Sequence, residues 1–307
     1  MSVIDTRTTV LSWKVLTVKR PGLSRDLPRG KEELMWVANS STLICGQRDA
    51  ILVDTFLTAD QSQTLLDWVV ANGKNLTAIY ITHGHGDHFF GLAPLLERFP
   101  RAKAVAIPSV VDAMKAQLLP ASLDGFWRKL FPGQILDRLL PAEPLNSNEL
   151  ELEGHKLIAV DMGRTDTTRS TSLYVPSIAL IVAGDTVYNG IHPYLTETDT
   201  HSRREWISSL DKLEVLRPRA VVAGHKKPEN DDDPRVDGGL ISYGVDLRWC
   251  YQRAAALVVK ILNGTAPGDI PVEFPSSVLL SINLRVAKLI GITVPPALLA
   301  RADEVIE

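Results

Sequence analysis

The stretch "LTAIYITHGHGDHFFG", residues 76–91, constrains this chain more than any other. Its first seven residues are apolar or β-branched, as in a buried strand. The strand runs straight into His83, His85, Asp87 and His88. Side chains alternate along an extended backbone, so His83 and His85 point to one side if the chain stays extended as far as Gly86. Asp87 and His88 diverge at the entry to the next helix and can address a second position close by. Gly84 and Gly86 lack Cβ atoms, which lets the backbone turn tightly around an ion. Neutral imidazole mixed with carboxylate is a donor set that zinc takes. A polar loop with structurally satisfied histidines does not account for four such side chains at the end of one strand.

Around this cluster the pattern alternates. "STLICG" and "AILVDT" read as strands about the turn "QRD", and residues 60–73 as a helix with Asp60 as its N-cap and Gly73 near its end. Later strands are expected in "AKAVAIP", "LELEGHKLIAVDMG", "STSLYVPS", "ALIVAGDT" and "AVVAGH". The helix "SRREWISSLDKLEVL" places Trp206, Ile207, Leu210 and Leu213 on one face. A long terminal helix is expected over 240–264. Residues 119–147 break the rhythm with prolines and the aromatic group Phe126, Trp127 and Phe131, which reads either as a helical excursion on the core or as a lid. Two halves, each of strands followed by helices, suggest an α/β protein with two sheets packed face to face and helices outside, an αββα sandwich.

The pattern HxHxDH closely resembles that of the metallo-β-lactamase-fold hydrolases. The resemblance runs from about residue 35 to about residue 230 and includes "ILVDT" with Asp54, "AGDT" and "AGH". It implies a mixed-sheet sandwich of the metallo-β-lactamase type holding zinc, one ion or two. The first position would take His83, His85 and a bridging Asp185; the second would take Asp87, His88, His225 and the same Asp185. "AGHKKPENDDDP" and "GDTVYNGIHPYL" are similar to a branch of ester, lactone and amide hydrolases. The implied reaction is hydrolysis of a small molecule by zinc-activated water, with Asp87 passing a proton to the leaving group. His192, Tyr188, Tyr194 and Trp127 are the substrate-binding residues this reading selects.

One departure matters. The family usually has a ligating histidine in a "GHT" turn, where "DMGRTDTTRST" here holds Arg164. Arginine stays cationic and has no lone pair to donate. The first position is therefore expected to be weak, empty or completed by water, with Arg164 turned to catalytic use on a substrate carboxylate or oxyanion. Asp166 reads as a turn-stabilising side chain, with replacement of the missing histidine as the alternative. The main rival function is a degenerate, non-catalytic metal protein. Persulfide oxidation within the superfamily relies on the histidine replaced by Arg164, and nuclease activity calls for a basic surface.

That surface is not evident in a chain of 307 residues with net charge −3 and no basic run longer than His225, Lys226 and Lys227. Nucleic acid is thus not the expected partner. No apolar run approaches the ~20 residues of a membrane span, and residues 1–15 lack the pattern of a signal peptide. Cys45 and Cys250 read as buried free thiols. A cytoplasmic enzyme with a small-molecule substrate is expected, a homodimer being left open. Residues 281–307 resemble the C-terminal end of ABC-transporter substrate-binding proteins, which suggests a hydrolase domain over 1–264 and an extension over 265–307.

Overall fold

The computed structural model describes residues 10–21, 35–230, 232, 241–245, 260, 263–266, 278–284, 287 and 293–306. The chain divides into two compact units, Met1–Pro234 and Arg235–Glu307.

The first half of unit one contains β1 (Ser12–Pro21), β2 (Met35–Cys45), β3 (Asp49–Val53), β4 (Asn75–Tyr80), β5 (Lys103–Ala106) and β6 (Glu143–Pro144). The second half contains β7 (Glu149–Leu152), β8 (His155–Gly163), β9 (Ser170–Val175), β10 (Leu180–Asn189) and β11 (Ala220–Lys226). Among the described residues they form one curled mixed sheet in the order β6-β5-β4-β3-β2-β11-β10-β9-β8-β7, with β1 on β2. The α/β sandwich expected from the sequence is present, and its two halves are stitched together at two seams. Between β2 and β11 the pairing is His225 with Asn39. Beyond the end of β4, His83 bridges Ser170, and the Thr171 N–H donates to the Thr82 carbonyl at 2.9 Å.

The central strands are covered on both faces. β11 is buried along its whole length, and β10 over its first seven residues. Such strands read as continuous apolar runs instead of alternating ones, which is the pattern of "ALIVAG" and "AVVAG". Helices α1 (Ala59–Ala71), α2 (Gly86–Phe89), α3 (Leu92–Arg98) and α4 (Pro108–Gln117) follow the first-half strands. The N-cap of α1 is Thr58, not Asp60: Thr58 has the extended backbone of a cap, and its N–H donates to Gln61 Oε1 at 3.3 Å.

Residues 119–147 resolve into α5 (Pro120–Ser122), a π-helical turn over Leu123–Trp127 and α6 (Arg128–Leu130). Trp127 and Phe131 are buried, and Trp127 packs edge-on to Phe90 at 5.7 Å, while Phe126 stays exposed. The segment therefore anchors in the core and presents one aromatic outward.

α7 (Thr200–Val215) is capped by Asp199, which accepts from the Ser202 N–H at 2.8 Å. Its buried stripe is Ser202, Trp206, Ser209 and Leu213, with Ile207 63% exposed. The expected grouping of Ile207 and Leu210 with the core face is thus corrected. Small serines let the helix sit close to the sheet, where Trp206 Nε1 donates to the Thr186 carbonyl at 2.9 Å.

Unit two contains β12 (Ile241–Val245), β13 (Val278–Asn283), α8 (Pro296–Leu299) and β14 (Glu304–Ile306), with strand order β12-β13-β14. β12 stands where the long helix over 240–264 was expected to begin. Its antiparallel pairing with β13 draws the segment into unit two, so the division falls after Pro234 instead of Gly264. Most of the remaining expected helix, with Cys250, lies outside the described residues. Cys45 is buried and free. Among the described residues no helix is long and apolar enough to cross a membrane.

Candidate metal centre

β4 ends at Tyr80; His83 forms an isolated β-bridge, the chain bends at Gly84, and His85, extended again, is the N-cap of α2. His83, His85, Asp87 and His88 are all buried. The glycines serve packing. A Cβ on Gly84 would meet Ala113 Cβ at 2.6 Å, so α4 can approach the loop only because position 84 is bare.

Each histidine has one ring nitrogen tied down and the other aimed into a common centre. His88 Nδ1 donates to Asp54 Oδ2 at 3.0 Å. His83 Nδ1 lies 3.0 Å from Thr82 Oγ1, which itself donates to Asp54 Oδ2 at 2.7 Å and is left to accept from the ring. His225 Nδ1 donates to the Ala38 carbonyl at 3.0 Å, and His85 Nε2 to Glu197 Oε1 at 3.1 Å. These partners select the tautomers that leave His83 Nε2, His85 Nδ1, His88 Nε2 and His225 Nε2 as inward lone pairs. Asp54 serves two of them from a left-handed backbone, φ 59°, which an aspartate tolerates better than most residues.

The sheet's second half delivers the rest. Asp185 on β10 places Oδ1 3.2 Å from His88 Nε2 and Oδ2 3.1 Å from His225 Nε2. The same Oδ2 lies 3.9 Å from His83 Nε2. Gly224 makes room for this carboxylate, since a Cβ there would collide with Asp185 Oδ1. Asp166, in the turn after β8, is fully buried with Oδ2 3.1 Å from His85 Nδ1. Ligand atoms group as His83, His85, Asp166 and Asp185 on one side and as Asp87, His88 and His225 on the other, all within 4.8 Å inside each group.

These residues fit a pair of divalent ions. Two donors bound tetrahedrally to zinc sit about 3.3 Å apart, given bonds of roughly 2.0–2.2 Å. The spacings His83–His85 (3.2 Å), His85–Asp166 (3.1 Å), His88–Asp185 (3.2 Å) and His225–Asp185 (3.1 Å) lie close to that value. His88 Nε2, Asp166 Oδ2 and Asp185 Oδ1 are buried with no hydrogen-bond partner, a costly arrangement unless a cation meets them.

In the metal-free chain the carboxylates and imidazoles of the cluster shift one another. Burial pushes the Asp185 carboxyl towards neutrality, but His225, His88 and His83 outweigh it and hold its pKa well below the usual range. Asp87 is likewise lowered, burial being overcome by His88 and His225. Burial drives His83 down to about 4. It opposes charge on His85 too, yet Asp166 and Glu197 hold that residue well above its ordinary value.

The centre opens into a cleft of about 300 Å3 lined by residues that include Val37, Phe126, Trp127, Tyr194 and Glu197. Trp127 and Tyr194, two of the residues selected from the sequence, are in this lining. Three expectations are corrected. His192 is exposed and bonded to the Pro193 carbonyl at 2.7 Å, away from the cleft lining. Tyr188 donates its hydroxyl to Asp185 Oδ2 at 2.6 Å and stacks on His225, so it holds a ligand and not a substrate. Arg164 turns its Nη2 to the Glu197 carbonyl at 3.3 Å, and Asp166 stands among the ligand atoms in its stead.

Sequence reasoning missed Glu197 and Asn39, whose Nδ2 donates to Asp87 Oδ2 at 2.9 Å. A signal for Asn39 existed: the run Asn39, Ser40, Ser41, Thr42 is a polar stretch on a central strand, all of it buried. Glu197, in "LTETDT", carried none.

Residues 34–225 match the metallo-beta-lactamase superfamily, and the chain belongs to it. Residues 228–306 match the ABC transporter substrate binding protein family, a longer stretch than the tail from residue 281. Two curated relatives, hydroxyacylglutathione hydrolases of Vibrio campbellii and Vibrio parahaemolyticus, are each 28% identical over 96 residues. The match takes in 30% of this chain and spans 34% of each relative. Among solved structures, a metallo-beta-lactamase from Pontibacter korlensis aligns with a TM-score of 0.51 at 16% identity, over 74% of this chain and 96% of that one. The DIM-1 metallo-beta-lactamase aligns with a TM-score of 0.50 at 17% identity, over 74% and 93%. At such identities the likeness establishes the fold.

Proposed function

We propose that unit one is a zinc-dependent hydrolase of a small ester, lactone or amide. The observation that carries this reading is the convergence of four imidazole lone pairs and three buried carboxylates at the floor of an aromatic-walled cleft. A divalent ion bound there would acidify water from about 15.7 towards roughly 7 and polarise a substrate carbonyl. The protein's own groups do the rest. Asp87 lines the cleft and is held in place by Asn39, which positions it to pass a proton between water and the leaving group. Phe126, Trp127 and Tyr194 offer apolar surface to the substrate, and a cleft of about 300 Å3 suits a small molecule.

The test is turnover of a panel of esters, lactones, amides and β-lactams. A hydroxyacylglutathione thioester belongs in it because of the Vibrio relatives' name. Chelation should abolish activity and zinc alone should restore it. Zinc bound stoichiometrically without turnover of any substrate would replace this reading with the non-catalytic one.

A further inference from the structure

We propose that Asp166 is a metal ligand that completes the first position, so that both positions carry donor sets of the same composition. The inference rests on the metal-dependent reading above. The first set becomes His83, His85, Asp166 and the shared Asp185; the second is Asp87, His88 and His225, joined by the same Asp185, which lies 3.2 Å from His88 Nε2 and 3.1 Å from His225 Nε2. Each ion then has two imidazoles, one private carboxylate and one shared carboxylate.

Three observations carry it. Asp166 is 0% exposed, and its two oxygens have different fates: Oδ1 accepts from Thr165 Oγ1 at 2.8 Å, while Oδ2 has no hydrogen-bond partner. A side chain that only stabilised its turn would be satisfied through Oδ1 and would not leave the other oxygen bare. That oxygen also has ligand spacing to a second donor, 3.1 Å from His85 Nδ1, and lies 4.0 Å from His83 Nε2. The turn is braced from behind as well. Thr165 Oγ1 reaches Ser170 Oγ at 2.6 Å, and the Thr165 N–H donates to the Thr167 carbonyl at 2.9 Å. Arg164 leaves the position clear by reaching to Glu197.

The substitution changes the charge of the site. Three carboxylates and four imidazoles bring three negative charges to two divalent ions, where a histidine in place of Asp166 would bring two. Donors of matching type and hardness give the first position a complete set of its own. The first position is then as competent as the second, and not impaired.

Zinc titration of the chelator-stripped full chain, with metal counted after desalting, tests this. The wild type should take up two equivalents with dissociation constants within about tenfold of each other. Asp166→Asn should keep one tight equivalent and weaken the other by roughly a hundredfold, since a neutral amide oxygen is a poor ligand for zinc. Asp87→Asn should lose the opposite equivalent, and Asp166→His should retain two. If Asp166→Asn binds two equivalents with unchanged constants, Asp166 is only a counter-ion to His85 and the proposal falls. It falls equally if the wild type binds one.

Should Asp166→Asn fail to fold, an anomalous-difference map of zinc-soaked wild-type crystals decides. Asp166 Oδ2 must lie within roughly 2.2 Å of a metal peak, and a first peak without it overturns the proposal. Two equivalents without turnover would remove the hydrolase reading and leave this inference standing. Turnover with a single equivalent would do the reverse.

Discussion

The two sides of the ligand cluster are held by different kinds of structure. His88 and His225 are oriented by Asp54 and by the Ala38 carbonyl, and Asp87 by Asn39. All three supports are buried in β2 or just beyond β3. His85 is oriented by Glu197, whose side chain is 41% exposed in the segment between β10 and α7. Glu197 is in turn gripped by Thr167 at 2.8 Å. The second side is set by the sheet; the first shares that support at His83, through Thr82 and Asp54, but depends at His85 on a loop that also walls the cleft. Preorganisation therefore need not be uniform within one site.

The comparison can be broken in stages. Asp185→Asn removes the carboxylate common to both sides and should release both zinc equivalents, with kcat/KM falling by about a thousandfold or more. If one side survives, the two are more independent than the geometry implies. Asp54→Asn keeps a residue that accepts the left-handed backbone while removing the charge. Zinc affinity at the second position, where Asp54 meets His88 directly, should fall by roughly 10- to 100-fold, with a smaller loss at the first through Thr82 and His83. Glu197→Gln makes the equivalent change on the loop side, where exposure screens the interaction, and should cost about tenfold or less at the first position. Equal losses from the two variants would show that sheet and loop support are equivalent after all.

Acidity separates the states more gently. In the metal-free chain Asp185, Asp87 and Asp54 raise His88 against the opposing effect of burial, and His85 and His225 are raised too. Groups raised on folding contribute stability that is complete below about pH 6.5 and is lost as pH climbs through their folded values. His83, lowered to about 4, acts oppositely, but it is one residue against three. The melting temperature of chelated protein should therefore fall as pH rises above about 6.5. Zinc affinity should rise over the same range, because the ligands must be deprotonated. Parallel melting curves with and without zinc check both signs. The smallest effect belongs to Phe126→Ala at the exposed rim, which should raise KM a few-fold, leave kcat unchanged and alter stability by about 0.5 kcal/mol or less.

Legibility in the sequence followed chain distance. His83, His85, Asp87 and His88 lie within one turn-and-strand unit, so alternation and turn chemistry alone brought them together. Asp185 and His225 became visible through strand-end motifs that carry a family resemblance. Asp166 was visible only as an option, because two residues of offset from Arg164 decide nothing until the turn is built. Glu197 was invisible, since no periodicity connects an acidic loop residue to a histidine 112 positions away. Tyr188 was misassigned for a related reason: its residue type suits an oxyanion donor, and only the register of β10 reveals that its hydroxyl is already committed to Asp185. At the fold level, β12 was hidden because its pairing partner on β13 lies well beyond the reach of a local pattern.

The sheet's two seams have a consequence beyond chemistry. His83, His85, Asp87 and His88 precede the connection between β6 and β7, whereas Asp166, Asp185 and His225 follow it. Neither stretch owns a complete set for either ion. A metal ion in this crevice would act as a suture between the two halves of unit one. Cut at the exposed Ser147, the chain would become a two-piece device whose reassembly reports zinc.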